Sequence, residues 1–316
     1  MTTEQARARR VDAAIPTWPP YAALALGVFA VSTAAIFIRL AQSDDAPSLV
    51  LAAVRMSVAA LALTPVVLLR HRAELRRIAF DDLKWALVAG VVLGVHFATW
   101  ISSLEYTAVV NSVTIVTTAP LWVALASPLV LKEAISRRTA VGIAVALGGG
   151  LIVGLSGEAG APPTRHDPLL GNGLALVGAW AAAIYFLLGR RLRARLSVMV
   201  YIWLVYGTAA ILLVGVVALA GQPVAGFGAE TYLWMVLLGL VPQLIGHSSL
   251  NFALGYFPAA YVSLVVLGEP IGSGLLAIFF LSEWPVPLQL AGTALVLIGI
   301  ALATLERPVE KRAGAR

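Results

Sequence analysis

The sequence predicts an all-α polytopic membrane protein with ten transmembrane helices arranged as two inverted five-helix repeats. Three observations lead to this prediction: the composition, the length of the apolar stretches and a pattern that recurs after 150 residues. Of the 316 residues, 60% are hydrophobic and 12% are charged, whereas a soluble domain usually carries about 25% charged residues. So few charges cannot cover the surface of a soluble domain of this length. The composition therefore excludes an ordinary water-soluble enzyme.

Ten apolar stretches are each close to the roughly 20 residues that a helix needs to cross a bilayer. The first follows a basic segment with Arg7, Arg9 and Arg10, as a cleaved signal peptide would. Its apolar run exceeds the usual 7–15 residues of such a peptide, so we interpret it as a retained helix. The predicted stretches run approximately over 20–39, 46–69, 84–104, 107–131, 139–156, 170–189, 197–220, 229–252, 257–282 and 286–305.

The basic residues predict the orientation of these helices. With a cytoplasmic N-terminus, Arg39 and Arg165 are the outward-facing members of the 22 Lys and Arg residues, and Arg55 lies within a span. The other nineteen then lie in cytoplasmic segments, as the positive-inside rule requires. We therefore expect a multi-pass protein of the cell (plasma or inner) membrane with both termini in the cytoplasm. The net charge of +6 reflects these anchoring residues, and no nucleic-acid partner is expected.

An internal repeat aligns Leu104–Gly154 with Leu254–Thr304 without a gap. Because each unit contains five helices, an odd number, the second unit enters the membrane from the opposite side. Opposed halves of this kind recur in transporters that rock around a site at the middle of the membrane. The informative matches are Tyr106 with Tyr256, Pro120 with Pro270, Glu133 with Glu283, Gly142 with Gly292 and Gly149 with Gly299.

The repeat predicts five regions along the chain. Two basic cytoplasmic tails flank the repeats, and an extracytoplasmic linker joins them. The regions are the N-terminal tail 1–19, the first repeat 20–156, the linker 157–169, the second repeat 170–305 and the C-terminal tail 306–316.

Two segments resemble the proline-started, glutamate-ended helix of EamA-type transporters. They are APLWVALASPLVLKE (119–133) and EPIGSGLLAIFFLSE (269–283), and Arg55 falls where that family commonly shows arginine. The chain is identified as similar to the EamA branch of the drug/metabolite transporter superfamily over about residues 20–305. The resemblance implies ten helices, a central cavity and the export or exchange of small solutes such as amino acids. One departure is that Ala119 stands where the second half has Glu269.

Glu269 and the two prolines are the candidates for coupling and gating. A carboxyl in hydrocarbon is costly, so Glu269 should either change charge during transport, which suits proton coupling, or serve as a structural group. Pro120 and Pro270 each remove an amide donor and should free the carbonyls of Val116 and Val266. A structural kink and a gate hinge are both compatible with these prolines.

Polar and aromatic side chains inside the spans are the candidate substrate-binding residues. Gln243, His247 and Asn251 recur every four residues and should share one helix face. Such side chains should face a cavity or a neighbouring helix rather than lipid. Hydrogen bonding or packing alone is the competing explanation for them. The full predicted set is His96, Trp100, Asn111, Trp180, Tyr185, Gln243, His247, Asn251, Tyr261 and Glu269.

Several chemistries have no signal in the sequence. There is no cysteine, no phosphate-binding loop of the Walker type and no HExxH motif, so we expect no cofactor and no metal site. The energy source should be a solute or ion gradient, with protons as the candidate coupling ion. A passive channel, and behind it a polytopic membrane enzyme using Glu269 and His247, are the alternatives. Either a monomer or a homodimer fits the sequence.

Overall fold

The computed structural model describes residues 18–130, 137–156, 167–257 and 259–304. Within these ranges the regular secondary structure is helical throughout and forms ten segments, called spans 1–10, which confirms the predicted fold class. Seven spans are long and apolar enough to cross a membrane, and spans 5, 9 and 10 contain shorter apolar helices.

The helix boundaries follow the predicted stretches with shifts of a few residues at their ends. A short helix, α4 (Arg72–Leu75), joins spans 2 and 3. The spans are span 1, α1 (Trp18–Ser32) and α2 (Ala34–Gln42); span 2, α3 (Ser48–Arg70); span 3, α5 (Phe80–Ser103); span 4, α6 (Val109–Val116) and α7 (Ala119–Val130); span 5, α8 (Arg137–Leu155); span 6, α9 (Pro168–Arg193); span 7, α10 (Val198–Leu219); span 8, α11 (Ala229–Leu238), a π-helix (Gly239–His247) and α12 (Ser248–Ala253); span 9, α13 (Ala259–Val265) and α14 (Gly268–Leu281); and span 10, α15 (Pro287–Thr304).

Spans 4 and 9 are each broken in the middle, just before a proline. Pro120 and Pro270 lie in the first turns of α7 and α14, where the missing N–H of a proline costs nothing. The expectation that the carbonyl of Val266 is free was wrong, because it accepts a hydrogen bond of 2.8 Å from the Glu269 N–H. The prolines therefore begin new helices rather than bending continuous ones.

Span 8 contains a π-helix that the four-residue spacing of its polar side chains did not predict. The π-helix covers Gly239–His247 and includes Pro242, which cannot donate to the helical ladder. A π-helix has a wider turn than an α-helix and is common at functional sites. As a result, Gln243, His247 and Asn251 contact different neighbours, described below.

The glycines of the internal repeat lie where spans 5 and 10 cross. A Cβ atom built on Gly149 would be 2.7 Å from the carbonyl oxygen of Gly292, and one built on Gly299 would be 2.6 Å from that of Gly142. The early part of span 5 thus meets the late part of span 10, and the reverse, so the two spans run antiparallel. Antiparallel packing of the fifth helix of each half is what inverted repeats require.

Two arginines repeat the same contact in the two halves. Arg39 Nη1 donates to the carbonyl of Leu104 at 2.9 Å, and Arg190 Nη1 donates to that of Leu254 at 2.8 Å. Leu104 and Leu254 are equivalent positions of the repeat. Each arginine therefore ties the last turn of the first span of its half to the end of the third.

Glu283 connects three spans at one end of the bundle. Its Oε1 lies 2.7 Å from Arg39 Nη2, and its Oε2 accepts a 3.0 Å hydrogen bond from the N–H of Val109 at the start of span 4. Both contacts join the end of span 9 to the first half. Its repeat partner Glu133 lies outside the described residues.

Asp44 joins the loop after span 1 to the start of span 8. Its Oδ2 accepts hydrogen bonds of 2.7 Å from the Gly228 N–H and of 2.7 Å from the Thr231 hydroxyl. These donors hold the pKa of the Asp44 carboxyl below its usual value of 3.8. The carboxylate thus supplies an acceptor for the exposed N-terminus of the helix.

The glycine crossing predicts that Gly149→Ala destabilises the protein. The added methyl group would press on backbone atoms of Gly292 and Val296, which cannot give way as a flexible side chain would. The expected loss is about 1–3 kcal/mol, the usual cost of overpacking. Thermal unfolding in detergent measures it. Gly148→Ala and Gly150→Ala are matched controls, because a Cβ at either position meets no atom within 4 Å. Equal melting temperatures for all three variants would contradict the crossing.

The Asp44 contacts predict a pH-dependent contribution to stability. Because its folded pKa is lowered, the contribution is present above the unfolded pKa and is lost as pH falls below about 4. Asp44→Asn should therefore melt at a lower temperature than the parent at pH 7, and the difference should shrink below pH 4. A difference that stays constant over pH 3–7 would argue against a charged cap.

Candidate functional site

A cavity lies between the two halves at the level of the broken spans. It leaves about 50 Å³ for the centres of water molecules, which is room for a few waters. Its lining comes from spans 1, 3, 4, 6, 8 and 9, and includes His96, Trp100, Thr117, Pro120, Tyr185, His247, Ser263, Val266 and Glu269.

The breaks in spans 4 and 9 both face this cavity. Thr117 lies in the break of span 4, and Val266 lies in that of span 9. A broken helix from each half therefore reaches the same space. Irregular backbone at membrane depth is tolerated where it lines such a cavity, and in transporters it typically forms the substrate site.

His96 and Trp100 form one wall of the cavity on span 3. The rings are stacked, with centroids 6.0 Å apart and an interplanar angle of 14°. His96 Nδ1 lies 2.9 Å from the carbonyl oxygen of Gly178 on span 6, and because a carbonyl only accepts, Nδ1 carries the proton. In the neutral ring, Nε2 is then left as an acceptor.

Tyr185 on span 6 also lines the cavity. Its hydroxyl donates to Asn251 Oδ1 at 2.9 Å, and Asn251 Nδ2 donates to the carbonyl of His247 at 2.7 Å. Asn251 therefore lies behind the wall and holds two lining residues in position.

Glu269 lies at the start of the second half of span 9. Together with His96 and His247 it is a titratable residue of the cavity lining, and 8% of its surface is exposed. It lies in the first turn of α14, where the helix dipole favours a negative charge. The Ser273 hydroxyl donates to the backbone carbonyl of Glu269 at 2.7 Å.

Arg55, on span 2, lies fully buried behind the Trp100 wall. Its Nε donates to Gln243 Oε1 at 2.8 Å, and its guanidinium carbon lies 4.0 Å from the centroid of the Phe97 ring. Phe97 in turn contacts His247 edge-on, at 5.2 Å between centroids. The sequence predicted that Arg55 lies within a span but did not predict its partner. Nothing in the sequence except its hydrophobicity pointed to Phe97 as a neighbour of the site.

The structure brings together about half of the predicted site residues. His96, Trp100, Tyr185, His247, Glu269 and Pro120 line the cavity. Gln243 contacts Arg55 instead, and Asn251 lies behind Tyr185. The side chain of Tyr261 lies outside the described part of the structure.

Three further predicted residues are not among those lining the cavity. Asn111 accepts a 2.8 Å hydrogen bond from Gln289 on span 10. Trp180 is 42% exposed and meets Trp122 edge-on, so it lies on another face of span 6 than Tyr185. Pro270 is buried beside Glu269 without reaching the lining. A spacing of five residues separates Trp180 and Tyr185 by about 140° around an α-helix, but it does not tell which of the two faces the cavity.

The family model described as the EamA-like transporter family matches residues 18–155 and 169–305, one copy for each half. The chain belongs to the EamA-like transporter family. The two matched copies and the antiparallel crossing of spans 5 and 10 agree with inverted repeats. Family membership supports membrane transport of small solutes.

Two further similarities tell less about the function of this EamA-like chain than the family does. An uncharacterized transporter of Archaeoglobus fulgidus is 29% identical over 76 residues, which span 24% of this chain and 28% of that protein. A solved crystal structure is similar with a TM-score of 0.63 and 22% identity, covering 90% of this chain and 97% of that one. The second likeness supports the fold alone.

Among the residues that the structure describes, no group of three or more His, Cys, Asp or Glu side chains is placed to hold a metal ion. The cavity groups are two imidazoles, one carboxyl, a phenol and hydroxyls. They can donate and accept hydrogen bonds and exchange protons with a bound solute.

Proposed function

We propose that this protein is a secondary active transporter that moves a small metabolite, an amino acid or a similar compound, by alternating access. Transport would occur as export or exchange across the plasma membrane, with both termini in the cytoplasm. The observation that carries the proposal is the cavity between the halves, which is lined by a broken span from each half. The family supports transport of small solutes in general, and the distribution of Lys and Arg supports the orientation.

A passive channel is an alternative to a carrier. A channel needs a continuous aqueous path in its open state, whereas a carrier exposes its site to one side of the membrane at a time. Two inverted halves that each contribute a broken span to one cavity favour a carrier, because opposed halves can rock around a shared site. A membrane enzyme with Glu269 and His247 as acid and base is the remaining alternative.

Solute exchange across a membrane distinguishes these alternatives. Proteoliposomes containing the full chain are preloaded with an unlabelled amino-acid mixture, and uptake of the labelled mixture is followed. A carrier is expected to take up label several-fold faster after preloading. Equal uptake with and without preloading favours a channel, and a product formed in detergent without any compartment favours an enzyme.

Glu269 is proposed as the coupling group, with the breaks before Pro120 and Pro270 as gate hinges. It is the carboxyl in the cavity lining, and carboxyls inside transporters commonly relay protons. His96 and His247 are proposed to contact the solute together with Trp100 and Tyr185. The other predicted residues would act through these, as Asn251 does through its hydrogen bond to Tyr185.

Glu269→Gln is predicted to abolish proton-driven accumulation while solute exchange continues, because an amide cannot release a proton. With one proton carried per solute, a gradient of one pH unit drives up to about tenfold accumulation. The parent should approach that value, and the variant should stay near onefold in the same vesicles. Glu230→Gln is the matched control, since Glu230 is exposed at the start of span 8. Accumulation by Glu269→Gln equal to that of the parent would remove Glu269 from the coupling step.

A further inference from the structure

Several buried N–H groups beside the cavity have no acceptor among the residues that the structure describes. They belong to Arg55 (Nη1 and Nη2), Trp100 (Nε1) and Gln243 (Nε2). Arg55 and Gln243 are fully buried, and Trp100 is 3% exposed. Leaving a buried donor unpaired costs about 1–3 kcal/mol, and more for a charged group. Four such atoms in three neighbouring side chains therefore call for an explanation.

The three side chains form one cluster. Arg55 Nε donates to Gln243 Oε1 at 2.8 Å, which fixes the amide so that Gln243 Nε2 is its free donor. The Arg55 guanidinium carbon lies 5.7 Å from the centroid of the Trp100 ring. Phe97 lies 4.0 Å from the guanidinium carbon, and both Nη groups have no hydrogen-bond partner among the described residues. A planar pair of N–H groups is suited to a two-oxygen anionic group.

The cluster adjoins the cavity, and its arginine is in no ion pair within the described residues. Trp100 and His247 line the cavity, and Phe97 contacts His247. Within the described residues, the ion pairs do not include Arg55. Glu269 acts on Arg55 electrostatically from the cavity, but the two do not form an ion pair. A buried cation without a partner is costly, and an arriving anion would relieve that cost.

We propose that Arg55, Trp100 and Gln243 form a binding site for a small anionic group. The anionic group is either the carboxylate of an organic solute or a free inorganic anion such as chloride. The inference deepens the proposed transport function, because an anion held here would lie against the cavity wall. Anion binding can be measured on the purified protein without a closed membrane compartment, so it is tested separately from transport.

The test measures the melting temperature of the purified full chain with added anions. Sodium chloride and sodium acetate are titrated in separate series over the same range of ionic strength. A ligand of the native state raises the melting temperature saturably. The parent is expected to rise by at least about 2 °C. A rise with acetate alone assigns the site to carboxylates, and a rise with chloride assigns it to inorganic anions.

Two variants connect such a rise to the cluster. Gln243→Glu keeps the acceptor for Arg55 Nε and adds a negative charge, so it should melt no lower than the anion-free parent and lose the anion response. Trp100→Phe keeps an aromatic ring but removes one donor, and should weaken the apparent affinity about tenfold. Trp203→Phe is the matched control, because the Trp203 indole already donates to Thr64 Oγ1 at 3.0 Å.

The proposal is overturned by either of two results. One is a parent whose melting temperature responds to neither anion. The other is a Trp100→Phe variant whose melting temperature rises with added anion as much as those of the parent and of the Trp203→Phe control. This second result can be obtained even if Gln243→Glu does not fold. A saturable anion response together with failed solute exchange would leave the site standing and remove the transport function.

Discussion

The fold depends on the high cost of placing polar groups in hydrocarbon, where water cannot pair with them. Glu283 illustrates the constraint, since one carboxylate is neutralised by Arg39 and also accepts the N–H of Val109. Asn111 and Gln289 pair in the same way between spans 4 and 10. Because such groups must find partners inside the protein, they determine which helix faces turn inward. Arg55 differs from Arg39 in that neither of its Nη groups has a hydrogen-bond partner among the described residues.

The repeated part of the sequence builds the scaffold. The glycines shared by the halves let spans 5 and 10 approach to backbone contact, as small residues do between membrane helices. The arginines that cap Leu104 and Leu254 secure equivalent joints in the two halves. The prolines begin the second helix of spans 4 and 9 at equivalent positions. Each of these residues serves the backbone, by permitting close approach, pairing a carbonyl or beginning a helix. The same need arises at the corresponding place in both halves.

Hydropathy and the repeat predicted the ten spans and the inversion, because lipid imposes length and composition on each segment separately. The faces of the helices were harder to predict. Trp180 and Tyr185 look alike in sequence, but only Tyr185 reaches the cavity, because span 6 packs there against Asn251. The π-helix around Pro242 redirected the polar stripe of span 8, and no spacing rule anticipates it. The partner of Arg55 also depended on this turn, since Gln243 lies within it.

The chemistry of the site comes from residues that depart from the repeat. Glu269 lines the cavity, and its equivalent in the first half is Ala119, so the acidic charge is present once. Arg55 is likewise unmatched, because a shift of 150 residues leads to Val205. A symmetric scaffold that carried both charges twice would bury two acids and two cations in hydrocarbon, at several kcal/mol for each unpaired charge. One acid lies in the cavity wall on span 9, and one cation lies on span 2, next to the Trp100 ring that also lines the cavity. A solute would therefore meet the two halves with different charges, although their backbones are equivalent.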